Sequence, residues 1–154
     1  MLAITVGGNA ALAHTALSRI AAQLPLAVEK GKKAVATAVL LSTTRVMEER
    51  IYDEPLPASY ARFGKTHRTG ALLAGEAMVQ HGDGWLITTL NEGVPAPHAG
   101  EELKNPQKYA TWRHNQSGED WQQGLWRTIG LERVEPELPQ IFEKAFAPAL
   151  LRND

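Results

Sequence analysis

"EAMVQHGDGWLITTLN", residues 76–91, decides whether this chain is purely helical or contains a sheet. "EAMVQH" and "WLITTLN" are short runs of strand character, and the "GDG" between them is a turn signal. Two such runs across so short a break predict an antiparallel hairpin, and Asp83 and Gly84 tolerate the positive φ that such a turn demands. Just upstream, Ala71–Leu73 is expected to form a brief helical turn.

The first third of the chain reads differently. "LAITVGG" at residues 2–8 has period-two spacing and a glycine pair, which predicts a short strand and a turn. Asn9 is then positioned to cap a helix. Leu12, Ala16, Leu17, Ile20 and Leu24 recur at helical spacing until Pro25, and Val28, Val35, Val39 and Val46 continue one face as far as Ile51. Pro25 either kinks one helix or opens a second, since proline is tolerated at a first helical position. Gly31, among Lys30, Lys32 and Lys33, predicts a local fray or bend.

Further along, residues 52–67 and 92–108 are Pro- and Gly-containing connections without periodicity. "YATWRHNQ", residues 109–116, suits an edge strand or a short helix, with the strand favoured. Trp121, Leu125, Trp126 and Ile129 are loosely helical, with Gly124 and Gly130 against it. Leu138, Ile141, Phe142, Ala145, Phe146 and Ala149 form the stripe of a C-terminal helix that Pro148 bends or ends. The expected fold is α+β: a small antiparallel sheet with a long N-terminal helical segment and a C-terminal helix packed on it. The expected organisation is a single domain over residues 1–154, with a helical half at about 8–51, a connecting loop at 52–67, and the sheet and last helix at about 68–151.

Composition narrows the chemistry. With 154 residues, 44% apolar and 21% charged, the chain has the make-up of a globular protein. It has no cysteine, which excludes disulfides, thiolate metal sites and a thiol nucleophile. The longest candidate membrane segment, Ala34–Leu41, falls well short of a span. "MLAITVGGNA" lacks the basic and apolar regions of a secretory signal, so assembly in a cytoplasm is expected. The net charge of −1 hides an asymmetry: residues 1–70 carry nine Lys and Arg against five acids, and residues 71–154 carry seven against twelve. Halves of opposite sign suit a subunit that meets copies of itself or a neighbouring ring.

No catalytic constellation emerges. His14, His67, His81, His98 and His114 lack metal-ligand spacing, and surface roles are expected for them. "RHN" at Arg113–Asn115, with Glu119 and Asp120 nearby, is the one fragment suggestive of a metal-dependent hydrolase, but no second histidine follows it. The glycine groups do not form a phosphate loop. Ser18, Ser42, Ser59 and Ser117 lie outside any nucleophile elbow. Glu48–Glu49, Glu101–Glu102 and Glu119–Asp120 are expected to be solvated pairs. Trp112, Trp121 and Trp126 have too few cations among them for a base-stacking platform and are expected as core or interface anchors. The chain is therefore expected to be no enzyme and to need no cofactor or metal.

"YARFGKTHRTGALLAG", residues 60–75, is the main basic element. Its "RTGALLAG", placed after an Ala-rich helical half and a Pro-rich loop, resembles the small neck, minor-tail or tail-completion proteins of tailed bacteriophages. The following hairpin, "YATWRHNQSG" and a last helix ending "FEKAFAPALL" extend that resemblance over most of the chain. The sequence departs from the family at Arg113-His114-Asn115 and Gly118, where an acidic residue and Gly-Thr are usual, and at "VEPELPQIF", where Ala-Arg-Pro-Phe is usual. The resemblance implies a structural virion subunit in a ring, expected to be sixfold, at the head-to-tail interface, with DNA passing through the lumen without sequence-specific contact. Its expected partners are further copies of itself and neighbouring connector and tail proteins. Arg62, Lys65, His67, Arg68, Trp112 and Arg113 are then the expected contacts to a partner or to channel DNA. The alternatives are a nucleic-acid-binding module that uses the basic 60–68 loop, or a small metal-dependent hydrolase built on His114, Glu119 and Asp120.

Overall fold

A computed structural model describes residues 10–53, 71–90 and 125–151. The fold is α+β, with a long N-terminal helix, a two-stranded antiparallel sheet and a C-terminal helix. The chain divides into two compact units, Met1–Val35 with Pro139–Asp154, and Ala36–Leu138.

Helix α1 runs without interruption from Ala10 to Met47 and contains Pro25. An interior proline removes one backbone hydrogen bond and crowds the preceding turn, at a cost of about 3 kcal/mol. Here Ala21, Ala22, Leu24, Pro25 and Leu26 are all exposed, so the turn around the proline lies open to solvent rather than in the core. The next turn contributes Ala27, which is completely buried. Tertiary packing outweighs the local penalty, and one helix results.

In the first unit, α1 packs against the C-terminal helix. That helix, α4, spans Leu138–Leu150, and Pro148 lies in its last turn, two residues from the end. Ala27, Ala149 and Leu150 form the buried cluster, with Ile20 and Phe146 packed against it. Gly31 does not fray. A Cβ built there would lie 2.4 Å from Cε2 of Phe142, so the glycine exists to admit an aromatic ring against the helix backbone. The Phe142 ring stacks on that of Phe146 at 5.4 Å between centroids.

In the second unit, α1 ends in a π-helical turn, Glu48–Tyr52, closed by the Asp53 amide donating to the Glu48 carbonyl at 2.9 Å. The short helix α2, Ala71–Gly75, leads directly into β1, Glu76–His81, which pairs with β2, Gly84–Thr89. The register places Glu76 opposite Thr89, Met78 opposite Ile87 and His81 opposite Gly84. The Leu90 amide donates to the Gly75 carbonyl at 2.7 Å and extends the pairing past the strand ends.

The hairpin forms where the sequence predicts it, but its turn is centred one residue earlier. The central residues are Gly82 and Asp83, and Gly82 carries the positive φ, at 60°. Neither Asp83 nor Gly84 has it. Positive φ at the first central position is the mark of a type II′ turn, whose twist matches that of the strands.

Helix α3, Trp126–Val134, continues through a 3₁₀ turn, Glu135–Glu137, into α4. Its start is unusual, because Leu125 takes the left-handed conformation at φ 61°. Gly130 allows α3 to approach α1, since a Cβ there would lie 2.7 Å from Cα of Thr43. The core of this unit is Val46, Met47, Ile51, Leu72 and Trp126, flanked by Leu73 and Ile129.

The strand expected at residues 2–8 and the Asn9 cap lie outside the described residues. So do most of the connection at 52–67, the second connection at 92–108 and the strand expected in 109–116.

Candidate functional site

The most organised polar group in the second unit joins the hairpin to α3. Glu76 opens β1 and Thr89 closes β2, so the register sets them side by side on one face of the sheet. Arg127, in the first turn of α3, donates from Nε to Oε1 of Glu76 at 2.6 Å and from Nη2 to Oε2 at 2.9 Å. The same Nη2 donates to the Thr89 hydroxyl oxygen at 2.6 Å, and that hydroxyl donates to Oε2 of Glu76 at 2.8 Å. The Glu76 side chain is sealed from solvent, whereas Arg127 keeps 29% of its side-chain surface exposed. The Arg127 guanidinium also sits 5.8 Å from the ring centroid of Trp126, its neighbour in sequence, which is within cation–π range.

This arrangement suits a structural clamp better than a reaction. A buried carboxylate with a two-point arginine contact and a hydroxyl donor has its acceptors engaged. Taking a proton from a substrate, or ligating a cation, would first require breaking the pair.

A second, solvent-facing bridge links α3 to the end of α1. Glu49 accepts from Nη1 of Arg133 at 2.6 Å and from Nε of Arg45 at 3.2 Å. The hydrogen bond from Arg133 is the main cause that holds the Glu49 carboxyl below the ordinary glutamate value, with Arg45 adding to it. The pair Glu48–Glu49 is thus not simply solvated charge, because Glu49 ties two helices together. Among the described residues, no group of three or more His, Asp or Glu side chains is arranged to hold a metal ion.

Arg62, Lys65, His67, Arg68, Trp112 and Arg113, the contacts expected from the sequence, all lie outside the described residues, as do His98, His114, Trp121 and the pairs Glu101–Glu102 and Glu119–Asp120. Of the other candidates, His14, His81 and Ser18 are exposed and separate, and Ser42 is half-buried within α1. Trp126 is a core anchor, with no exposed surface.

The clamp itself was not anticipated. Glu76 and Arg127 are 51 residues apart, and no local pattern pairs them. The partial signal available was the hairpin register, which makes an acid at the first strand position face a threonine at the last.

No protein-family model matches the chain. Comparison with curated proteins gives no match. Comparison with solved structures likewise gives none.

Proposed function

We propose that this chain is a non-enzymatic structural subunit that works by self-association, forming a ring at the head-to-tail junction of a tailed phage in a neck or tail-completion role. On this reading it is assembled in the bacterial cytoplasm and ends in the virion. The order of sequence elements described above motivates the choice of family. Among the described residues, no helix is long and apolar enough to cross a membrane, which is compatible with that location.

One structural observation carries the self-association part. Leu12, Leu17, Leu24 and Leu26 on the first half of α1 are 69, 53, 44 and 58% exposed. Between Ala10 and Val28 the only formally charged residue is Arg19. Surface that is rich in leucine and depleted of charge matches the buried centre of protein interfaces.

On this reading Arg62, Lys65, His67, Arg68, Trp112 and Arg113 meet a neighbouring subunit or the DNA in the lumen. Native mass spectrometry of the purified chain tests the proposal. A discrete ring, expected as a hexamer, supports it, and a strict monomer at high concentration counts against it. DNA binding that falls steeply with salt and is lost in Arg68→Ala, without any ring, would instead identify a nucleic-acid-binding module.

A further inference from the structure

The hairpin carries three apolar side chains on each face. Side chains alternate across a strand, so the register puts Met78, Trp85 and Ile87 on one face and Ala77, Val79 and Leu86 on the other. Hydrophobic content alone therefore gives little instruction about which face should meet the helices. Register and facing are weakly specified in such a strand pair, because a flip or a one-residue slip exchanges one apolar set for the other.

What distinguishes the faces is the polar pair at the open end. Glu76 and Thr89 point to the same side as Met78 and Ile87, and Arg127 binds both. The same side reaches α1, where the Thr37 hydroxyl contacts Sδ of Met78 at 3.7 Å. In the flipped arrangement the pair Ala77–Thr88 would take the place of Glu76–Thr89, and Arg127 would lose its carboxylate.

We propose that the Glu76–Thr89–Arg127 network is a face selector: it fixes which side of the hairpin docks on the helices and contributes little net stability. The energetic reason is the desolvation of Glu76. Its side chain is withdrawn completely from water, and the Coulomb gain of such a pair is largely offset by that loss. A wrongly faced hairpin, in contrast, leaves Arg127 half-buried without an anion and receives the full penalty. This selection is independent of whether the chain assembles.

The test uses the full chain carrying Glu76→Met, Thr89→Val and Arg127→Met together, which keeps the volume and removes the polarity. Two readouts are needed: the urea midpoint, and the amide and indole cross-peaks of residues 76–89 and Trp126 in a nitrogen-15 correlation spectrum. The expected result is a midpoint equal to or above that of the wild type, with a second set of peaks at about a tenth or more of the total intensity. A single set of peaks with the wild-type pattern would show that packing alone selects the face. A lowered midpoint, or a chain that does not fold, would make the network a stabiliser. Either outcome overturns the proposal.

Discussion

Arg127 and Glu76 meet through two hydrogen bonds, of 2.6 and 2.9 Å, across a buried corner between α3 and the first residue of the hairpin. Removing one partner strands the other. Glu76→Ala or Arg127→Ala is therefore expected to lower unfolding free energy by about 3 kcal/mol, the lower end of the range for a broken buried pair, since Arg127 retains some contact with solvent. Arg127→Lys keeps the charge but not the planar fork, and should cost less than alanine but not nothing. Urea denaturation of the three variants checks the order.

The two close-approach glycines should respond unequally to alanine. At Gly130 the added methyl meets the backbone of Thr43 at 2.7–2.8 Å, which cannot move without parting α3 from α1. Gly130→Ala is expected to destabilise by about 1–3 kcal/mol even after the gain in helix propensity. At Gly31 the obstacle is the Phe142 ring, a side chain that is only partly buried and can rotate away. Gly31→Ala should therefore be the milder change, within about 1 kcal/mol of the wild type. Thermal unfolding of both variants gives the comparison.

Thr43 is completely buried, and among the described residues its hydroxyl meets no hydrogen-bond partner. A buried polar group left unsatisfied costs about 1–3 kcal/mol. Thr43→Val keeps the branched shape and removes the hydroxyl, so it should raise stability by about 1 kcal/mol. A higher melting temperature by calorimetry is the expected sign.

Glu49 gives a pH dependence with a definite sign. Its folded-state value is held below the ordinary glutamate value by Arg133, so its charged form favours the fold. That contribution is fully present above the ordinary glutamate range and disappears as pH falls through the depressed folded value. In Arg133→Ala the carbon-13 titration of the Glu49 carboxyl should move up toward the ordinary value. The acid limb of the stability curve should flatten over the same window. An unchanged titration would mean that the bridge to Arg133 does not form in solution.

Leu17→Asp with Leu24→Asp places two charges on one side of the exposed first half of α1. Both side chains are about half exposed, so the helix should persist by circular dichroism while self-association is lost in native mass spectrometry.

The sequence was most legible where local rules act alone. Residues 76–89 carried their own turn and strand signals, and the hairpin formed there, displaced only in which turn residue takes positive φ. The C-terminal stripe was equally plain, because its Phe146 and Ala149 recur at helical spacing and pack, together with Leu150, against Ala27. Legibility failed where distant contacts override local preference. Pro25 leaves one helix or two equally open and Gly31 suggests a fray or bend, yet both lie inside one continuous helix, the first with exposed residues around it and the second with an aromatic ring in the missing side chain's place. The clamp was unreadable for a related reason, since Glu76 and Arg127 become neighbours only after α3 has docked.

Trp126 and Arg127 are consecutive, yet one fills the apolar core beside Val46 and Met47 while the other secures the ends of both strands. A single helical turn thus serves as keystone for the tail of α1 and for the sheet at once. Solvent cannot reach one attachment by peeling that turn away without disturbing the other. The amides of these segments should therefore share one slow opening event in hydrogen exchange, making this corner a cooperative block of the molecule.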